Sequence, residues 1–566
     1  MRAALLCLLF LTPVQCGAPS PTVEVARGAL TTGAGWNPSQ WTDPQIAAGP
    51  SQVLVSAYEN LYYYDKDGNP ITTDVHGVPL APDVKTLVRY LWDTTIQPHP
   101  LNDYLNLPSG AHCDRNHPFD QPIASGTYAG QPNYCVDQYY DARVLYDNFR
   151  DRFVVVASAN NSSSKCTAHS PNPIESARRS KIVVAYSGSS DLADGSGWLA
   201  YSFDAVPGEG CTDQACRTAW GYTPGDAADY PVVGINRHYL TITINNAQHW
   251  AGDGTACGGN WSASQAAWHV WNADAMATNQ WDSTTCLGAD CSWVYFGNDL
   301  KDSNGNTIGG GLTPARIHGD SYLADGWAIQ PSTGSYTLWH FPMNGTTKPP
   351  LQRKTITVPS FSSSAPTHWD LVNQGTGSAP AYMKIDAITS FVGRNQNLYV
   401  ADVGSRVDGS WNGAGVRLVE LLGGSNPSPV LGRTQLFGAQ QFIYGSPALD
   451  VDSTGNMAVT FRRASASSPS EARYAIWYAG DSALSGGQSL HTGSGTFPSA
   501  SSGSCSTDDD CHSEDKICHS GSCWTVSGRW DTAGISLGPN GTRFYMLQPY
   551  AAANKSWGNF ANWVTP

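Results

Sequence analysis

Short apolar runs, each broken by a polar turn, recur seven times along the chain. The copies begin near Asp43 (DPQIAAGPSQVLVSAY), Asp141 (DARVLYDNFRDRFVVVAS), Tyr230 (YPVVGINRHYLTIT), Arg316 (RIHGDSYLADGWAIQ), Lys384 (KIDAITSFVGRNQNLYVADV), Ser446 (SPALDVDSTGNMAVTF) and Trp530 (WDTAGISLGPNGTRFYML). Each opens on a polar residue, continues as a small-and-aliphatic run, turns, and resumes as a run rich in β-branched and aromatic residues. Runs of this length and composition predict strands. Further runs complete the units. Phe153–Ser158, KIVVAYS over 181–187 and WLAYSFD over 198–204 follow Asp141, and Ala315–Gly319, Gly326–Gln330, Ser335–Phe341 and Lys354–Val358 form the fourth copy. In the fifth, Gly415–Leu421 supplies the third strand. Turns such as Lys66-Asp67-Gly68-Asn69 and Ser453-Thr454-Gly455-Asn456 have the chemistry that hairpins require.

A β unit that cannot bury its own apolar face must stack on copies of itself, and seven such units predict a ring. The expected fold is all-β, a β-propeller of seven four-stranded blades spanning 43–566. Six or eight blades, or a pair of β-sandwiches, are the alternatives. Copies start roughly 60–100 residues apart, more than the 40–50 that four strands need. The excess falls in Thr72–Tyr134, Asn160–Arg179, Asn245–Ala267, Cys286–Thr313 and Gly480–Gly528, read as long loops. The segment 17–42, through Leu30–Trp41, is expected to pair with Trp557–Val564 and so close the last blade.

Composition agrees with short strands and turns. Of 566 residues only 14% are charged, against 57 Gly, 36 Pro, 20 Trp and 26 Tyr. A net charge of −14 argues against nucleic acid or an anionic membrane surface as partner. The start, MRAALLCLLFLTPVQCGA, has a basic residue, an apolar run too short to span a bilayer and a break at Pro13. It reads as a secretory leader over 1–16, so the expected location is extracellular.

Setting aside Cys7 and Cys16 leaves twelve cysteines, an even number that suits an oxidising compartment. Proximity suggests Cys113 with Cys135, Cys211 with Cys216, Cys286 with Cys291, and Cys166 with Cys257. Cys505, Cys511, Cys518 and Cys523 form a small knot over 505–523, inserted before the last blade. Zinc is the alternative there, but paired C-x2-C knuckles are missing. Sequons begin at Asn160, Asn161, Asn260, Asn344, Asn540 and Asn554, marking surface loops if they are glycosylated.

The phrases DPQIAAGPSQVLVSAYENLYYYDKDGNP, YPVVGINRHYLTIT and GRWDTAGISLGPNGTRFY resemble repeats of secreted β-propeller proteins found mainly in bacteria, many without assigned activity. CSTDDDCHSEDKICHSGSC resembles small disulfide knots appended to secreted proteins. The resemblance covers most of the chain and implies a fold; it implies no activity.

The residues opening the inner strands are expected to rim one mouth of the ring: Asp43, Tyr140, Asp141, Asp229, Tyr230, Arg316, His318, Asp386, Tyr444 and Asp531. Their bland role is to cap turns. In the fourth copy Arg316, His318 and Asp320 alternate along a strand and so share a face. Arg237, beside His238 in the third copy, adds a cation. Arg can hold a carboxylate bidentately while His or Tyr moves a proton. Arg316, His318, Tyr140 and Arg237 are therefore the candidate catalytic set of a polysaccharide lyase acting on uronates. A glycosidase has less support, since the chain holds only seven Glu.

Asp65–Asn69 and Asp302–Asn306 resemble calcium loops without the full ligand series, so turns are the simpler reading and calcium the alternative. No cofactor or other metal is expected. Many Trp and Tyr, including Tyr62–Tyr64, Trp557 and Trp563, suit stacking on sugars, or packing between blades. The first expectation is a monomer that binds an extracellular polysaccharide or glycoprotein. A lyase or glycosidase comes second, and a structural wall or coat protein third.

Overall fold

A computed structural model describes residues 24–31, 44–84, 86–87, 138–160, 181–205, 227–249, 261–278, 292–302, 305–308, 311–319, 325–342, 348–364, 368–371, 381–384, 390–408, 411–424, 428–465, 468–493, 501–504, 516–519, 522–525, 533–541, 543–552 and 556–565. They are mostly strand. Antiparallel meanders follow one another along the chain, one for each repeat. The first has three strands, Gln45–Ala48, Gln52–Ala57 and Asn60–Asp65. The second has four: Gln138–Asp147, Arg152–Asn160, Lys181–Ser187 and Trp198–Asp204. The third runs through Ala227–Ile235, Tyr239–His249, Trp261–Asn272 and Ser292–Phe296.

The fourth meander is Thr313–Pro314, Gly326–Pro331, Ser335–Phe341 and Gln352–Thr357. The fifth is Ser390–Arg394, Asn397–Asp408, Trp411–Leu422 and Val430–Phe437. The sixth is Phe442–Val451, Met457–Ser465, Ser468–Trp477 and Gln488–His491. The seventh is Gly534–Leu537, Phe544–Ala552 and Ser556–Thr565, with Glu24–Thr31 laid on its outer edge, Val25 opposite Val564.

Period-two alternation sorts side chains between successive cores. All seven residues of Lys181–Ser187 are buried, because both faces of their sheet are covered. Ile182, Val184 and Tyr186 join the core shared with the third meander, whereas Val183 and Ala185 join the core shared with the first. Leu398 and Val400 face the fourth meander, and Tyr399 and Ala401 the sixth. The same sorting links the third to the fourth and the sixth to the seventh. Tyr545 and Leu547 of the last meander then pack with Ile46, Val53 and Val55 of the first, so the succession of cores is cyclic. Stacked sheets bury both faces of every inner strand, which removes apolar surface from water at about 25 cal/mol per Å².

Several strands depart from the expected pattern. Arg316–Ile317 leaves its own sheet and runs parallel between neighbours, Arg316 opposite Ile235 on one side and Val392 on the other. Asn245–His249 and Trp261–Ala267, within a segment expected as loop, instead prolong the hairpin of the third meander, from Asn245 opposite Ala266 to His249 opposite Trp261. Their Asn, Ala, Gln and Ser residues read as polar loop but are able to pair. Ser292–Phe296 and Gln488–His491 are outer strands inside segments also expected as loops. In the knot segment, Cys518 lies opposite Cys523 across a tight hairpin. All the other cysteines lie outside the described residues.

Aromatic side chains mostly fill the space between sheets, with Trp268, Trp339 and Trp477 fully buried. Gly326 shows how close that packing is. A Cβ there would stand 1.9 Å from the Phe341 ring on the neighbouring strand. Gly326→Ala is expected to lower stability by about 1–3 kcal/mol, read as a fall in melting temperature.

Candidate functional site

The first strands of all seven meanders surround one cavity of about 110 Å³. Gln45, Arg143, Tyr230, Arg316, Ser390, Ala448 and Ala533 each come from a different meander. Three of these strands start with a bulge in which a non-glycine residue has positive φ: Asp141 (53°), Tyr230 (57°) and Ser446 (45°). Left-handed backbone at Tyr230 and Ser446, each directly before a proline, is held only by surrounding structure. Bulges at a rim re-aim the residues that follow, and Arg143, Val232 and Ala448 come two residues later, all lining the cavity.

Two guanidinium groups face this space. Arg143 donates Nε to the Pro231 carbonyl at 2.9 Å and lies 4.6 Å over the Tyr230 ring. Arg316 donates to the carbonyls of Ile535 (3.0 Å) and Leu449 (3.4 Å), and pairs with Asp450 Oδ2 at 2.7 Å. A side chain from the fourth meander thus reaches the sixth and seventh. Arg316 Nε has no hydrogen-bond partner among the described residues. The described lining itself contains no Asp or Glu.

Asp450 anchors Arg316. It is fully buried, accepts from the Leu537 N–H at 2.7 Å, and meets His318 Nε2 at 2.6 Å. Burial alone would raise its pKa. Arg316 first, then His318 and the Leu537 N–H, outweigh burial and hold the carboxyl far below the usual carboxylate range.

The sequence candidates divide as follows. Arg316 and Tyr230 line the cavity, and His318 lies behind it on Asp450, 5% exposed. Tyr140 and Asp141 open the first strand of the second meander but are not in the lining. Arg237 is exposed on a hairpin beyond Ile235, at the end of its strand away from Tyr230, where its carbonyl accepts from Arg150 Nη2 at 2.6 Å. Asp229 pairs with Asn245 through the backbone. Tyr444 stands elsewhere, buried beside Phe437 and Phe461 in a smaller cleft between the fifth and sixth meanders. Its strand begins before the bulge at Ser446, which turns the following residues toward the centre and leaves Tyr444 outside. Asp43, Asp320, Asp386 and Asp531 lie outside the described residues.

Asp65 and Asp302 are consumed by their own turns. Asp65 accepts from the Asp67 and Asn69 N–H groups at 2.9 and 2.8 Å, and Asp302 from the Asn306 N–H at 2.8 Å. Asp452 repeats the device with Thr454 and Asn456. Among the described residues no three His, Cys, Asp or Glu side chains are placed to share a metal ion, and no helix is long and apolar enough to cross a membrane. Among the sequons, Asn540 is exposed in a turn and Asn160 ends a strand. Asn161, Asn260, Asn344 and Asn554 lie outside the described residues.

Sequence reasoning missed Arg143 and Asp450. The signal for Asp450 was present, as a lone carboxylate in the otherwise buried strand Phe442–Val451. That for Arg143 was its place two residues after a polar opening residue, the position that Val232 and Ala448 hold after Tyr230 and Ser446.

No family model and no curated protein matches the chain. Solved structures give weak likenesses. Trypanosoma rangeli sialidase in complex with the inhibitor DANA is 10% identical with a TM-score of 0.30, covering 78% of this chain and 56% of that one. The intramolecular trans-sialidase from Ruminococcus gnavus in complex with oseltamivir carboxylate is 8% identical at 0.35, covering 75% and 91%. A protein of unknown function from Dyadobacter fermentans is 8% identical at 0.28, covering 76% and 96%. The chain thus spans little more than half the length of the trypanosomal enzyme.

Proposed function

We propose that the chain is a secreted, seven-bladed β-propeller that binds an acidic carbohydrate of the extracellular space, seating a carboxylate between Arg143 and Arg316 in the central cavity. The observation carrying this reading is a pair of guanidinium groups in a cavity lined by every meander, with Arg316 tethered to Asp450 behind it and its Nε unpartnered among the described residues. Charge-assisted bonds to the carboxylate would be the strong contacts, and Tyr230, Gln45 and Ser390 would supply neutral partners for hydroxyl groups.

Binding is favoured over lyase chemistry by one contact. His318, the base a lyase would need, spends Nε2 on Asp450 and does not line the cavity.

Calorimetry with uronate oligosaccharides and their neutral counterparts tests the reading. Uronates are expected to bind and neutral sugars not. Arg143→Gln, checked for an unchanged melting temperature, is expected to weaken uronate binding by about 10–100-fold, the loss of one charge-assisted contact. Equal affinity for neutral sugars, or unaltered binding by the variant, would overturn it. Release of unsaturated product from the uronates would replace binding with lyase activity.

A further inference from the structure

At the seam where the last meander meets the first, two cations gather on one aromatic face. Tyr545 and Trp563 sit directly opposite each other on neighbouring strands, so their side chains share a face. Arg543 is two residues before Tyr545 and therefore on that same face, with its guanidinium 4.0 Å over the Trp563 ring. Lys66, at the turn that ends the first meander, places Nζ 4.4 Å over the Tyr545 ring.

Neither cation has an ion pair or hydrogen-bonded carboxylate among the described residues, and the Trp563 indole N–H is buried without a partner. Of the nearby acids, Asp65 is bonded to the Asp67 and Asn69 N–H groups and to Asn69 Nδ2, and Asp67 stands exposed in the same turn, within electrostatic reach of Tyr545. The Lys66 amine is brought down to about 8, by burial and then by the Arg543 charge. Two like charges held together and partly out of water cost free energy that a bound anion would recover.

We propose that Lys66, Arg543 and the Trp563 indole form a binding site for a tetrahedral oxyanion, the sulfate ester of a glycan or a phosphate group. Two cations and an unpartnered indole N–H on one face suit the several equivalent oxygens of a tetrahedral oxyanion. The site stands apart from the central cavity and shares no residue with it.

The test measures labelling of Lys66 by an amine-reactive ester, read by peptide mass spectrometry, with chloride at matched ionic strength as control. Inorganic sulfate, inorganic phosphate and glucose 6-sulfate are the probes. At about ten times the Kd of a bound anion, labelling of Lys66 is expected to fall roughly tenfold while other lysines are unaffected. Preference for glucose 6-sulfate over both inorganic ions would identify a glycan sulfate, and preference for phosphate a phosphate group. Arg543→Met keeps the contact with Trp563 and is expected to abolish the protection, whereas Arg143→Gln is expected to leave it intact. Labelling indifferent to all three anions, or equal protection in Arg543→Met, would overturn the proposal.

Discussion

Asp450→Ala is expected to lower the stability of the protein by about 3–5 kcal/mol, the cost of removing one partner of a buried charge pair. The carboxylate is wholly buried and serves three meanders at once: its own, the fourth through Arg316 and His318, and the seventh through the Leu537 N–H. Its removal leaves a guanidinium, an imidazole and an amide facing an empty space. Asp450→Asn keeps an acceptor for Leu537 and is expected to cost less. Urea unfolding reads both. The pH dependence carries a second signature. A carboxyl whose folded pKa is depressed stabilises the fold above its unfolded value, near 3.9, and loses that stabilisation as pH falls toward the folded value. Wild-type stability is therefore expected to decline below about pH 5 in part through Asp450, and Asp450→Asn to show a shallower decline. Parallel acid profiles would show that other carboxylates carry the effect.

The same residue marks how far the sequence could be read. Strand positions were most legible where both faces are buried: KIVVAYS occupies the strand expected of it, to the residue, and the half-buried outer strand WLAYSFD does so too. The extended hairpin of the third meander was not legible, since Asn245–His249 and Trp261–Ala267 carry polar residues whose pairing depends on the partner across the hairpin. Arg316 stood out in sequence as a cation opening a strand, but its contacts with Ile535 and Asp450 join residues more than a hundred positions apart. No local periodicity encodes a contact of that kind. Arg143 was hidden for a related reason. Alternation alone puts it on a sheet face, whereas the bulge at Asp141 lies at the rim and sets the strand that carries it, and that left-handed backbone has no glycine to announce it.

Arg417→Ala is expected to cost a similar 3–5 kcal/mol or more, with no effect on ligand binding. Arg417 is fully buried and holds Asp402 through Nε at 3.0 Å and Nη2 at 2.6 Å. It also donates to the carbonyls of Ser332 (2.8 Å), Thr333 (2.9 Å) and Pro359 (2.8 Å), tying the turns of the fourth meander to the fifth. Its guanidinium packs over Phe361 and Tyr336, and the Tyr336 hydroxyl donates to Asp402 Oδ1 at 2.9 Å. Alanine would leave a buried carboxylate and three carbonyls without donors, each a separate desolvation cost. The pair itself need not be stabilising relative to apolar residues of the same size. A double-mutant cycle separates the two costs. If the orphaned Asp402 charge dominates, Arg417→Met with Asp402→Leu should recover much of what Arg417→Met alone loses. If the carbonyls dominate, the double variant should be no better than the single one. In either case uronate affinity is expected to stay at the wild-type value, because Arg417 does not line the central cavity. Arg143→Gln should do the reverse, losing affinity while keeping stability. That opposition separates Arg417, which serves only the packing of the meanders, from Arg143, which also faces the cavity.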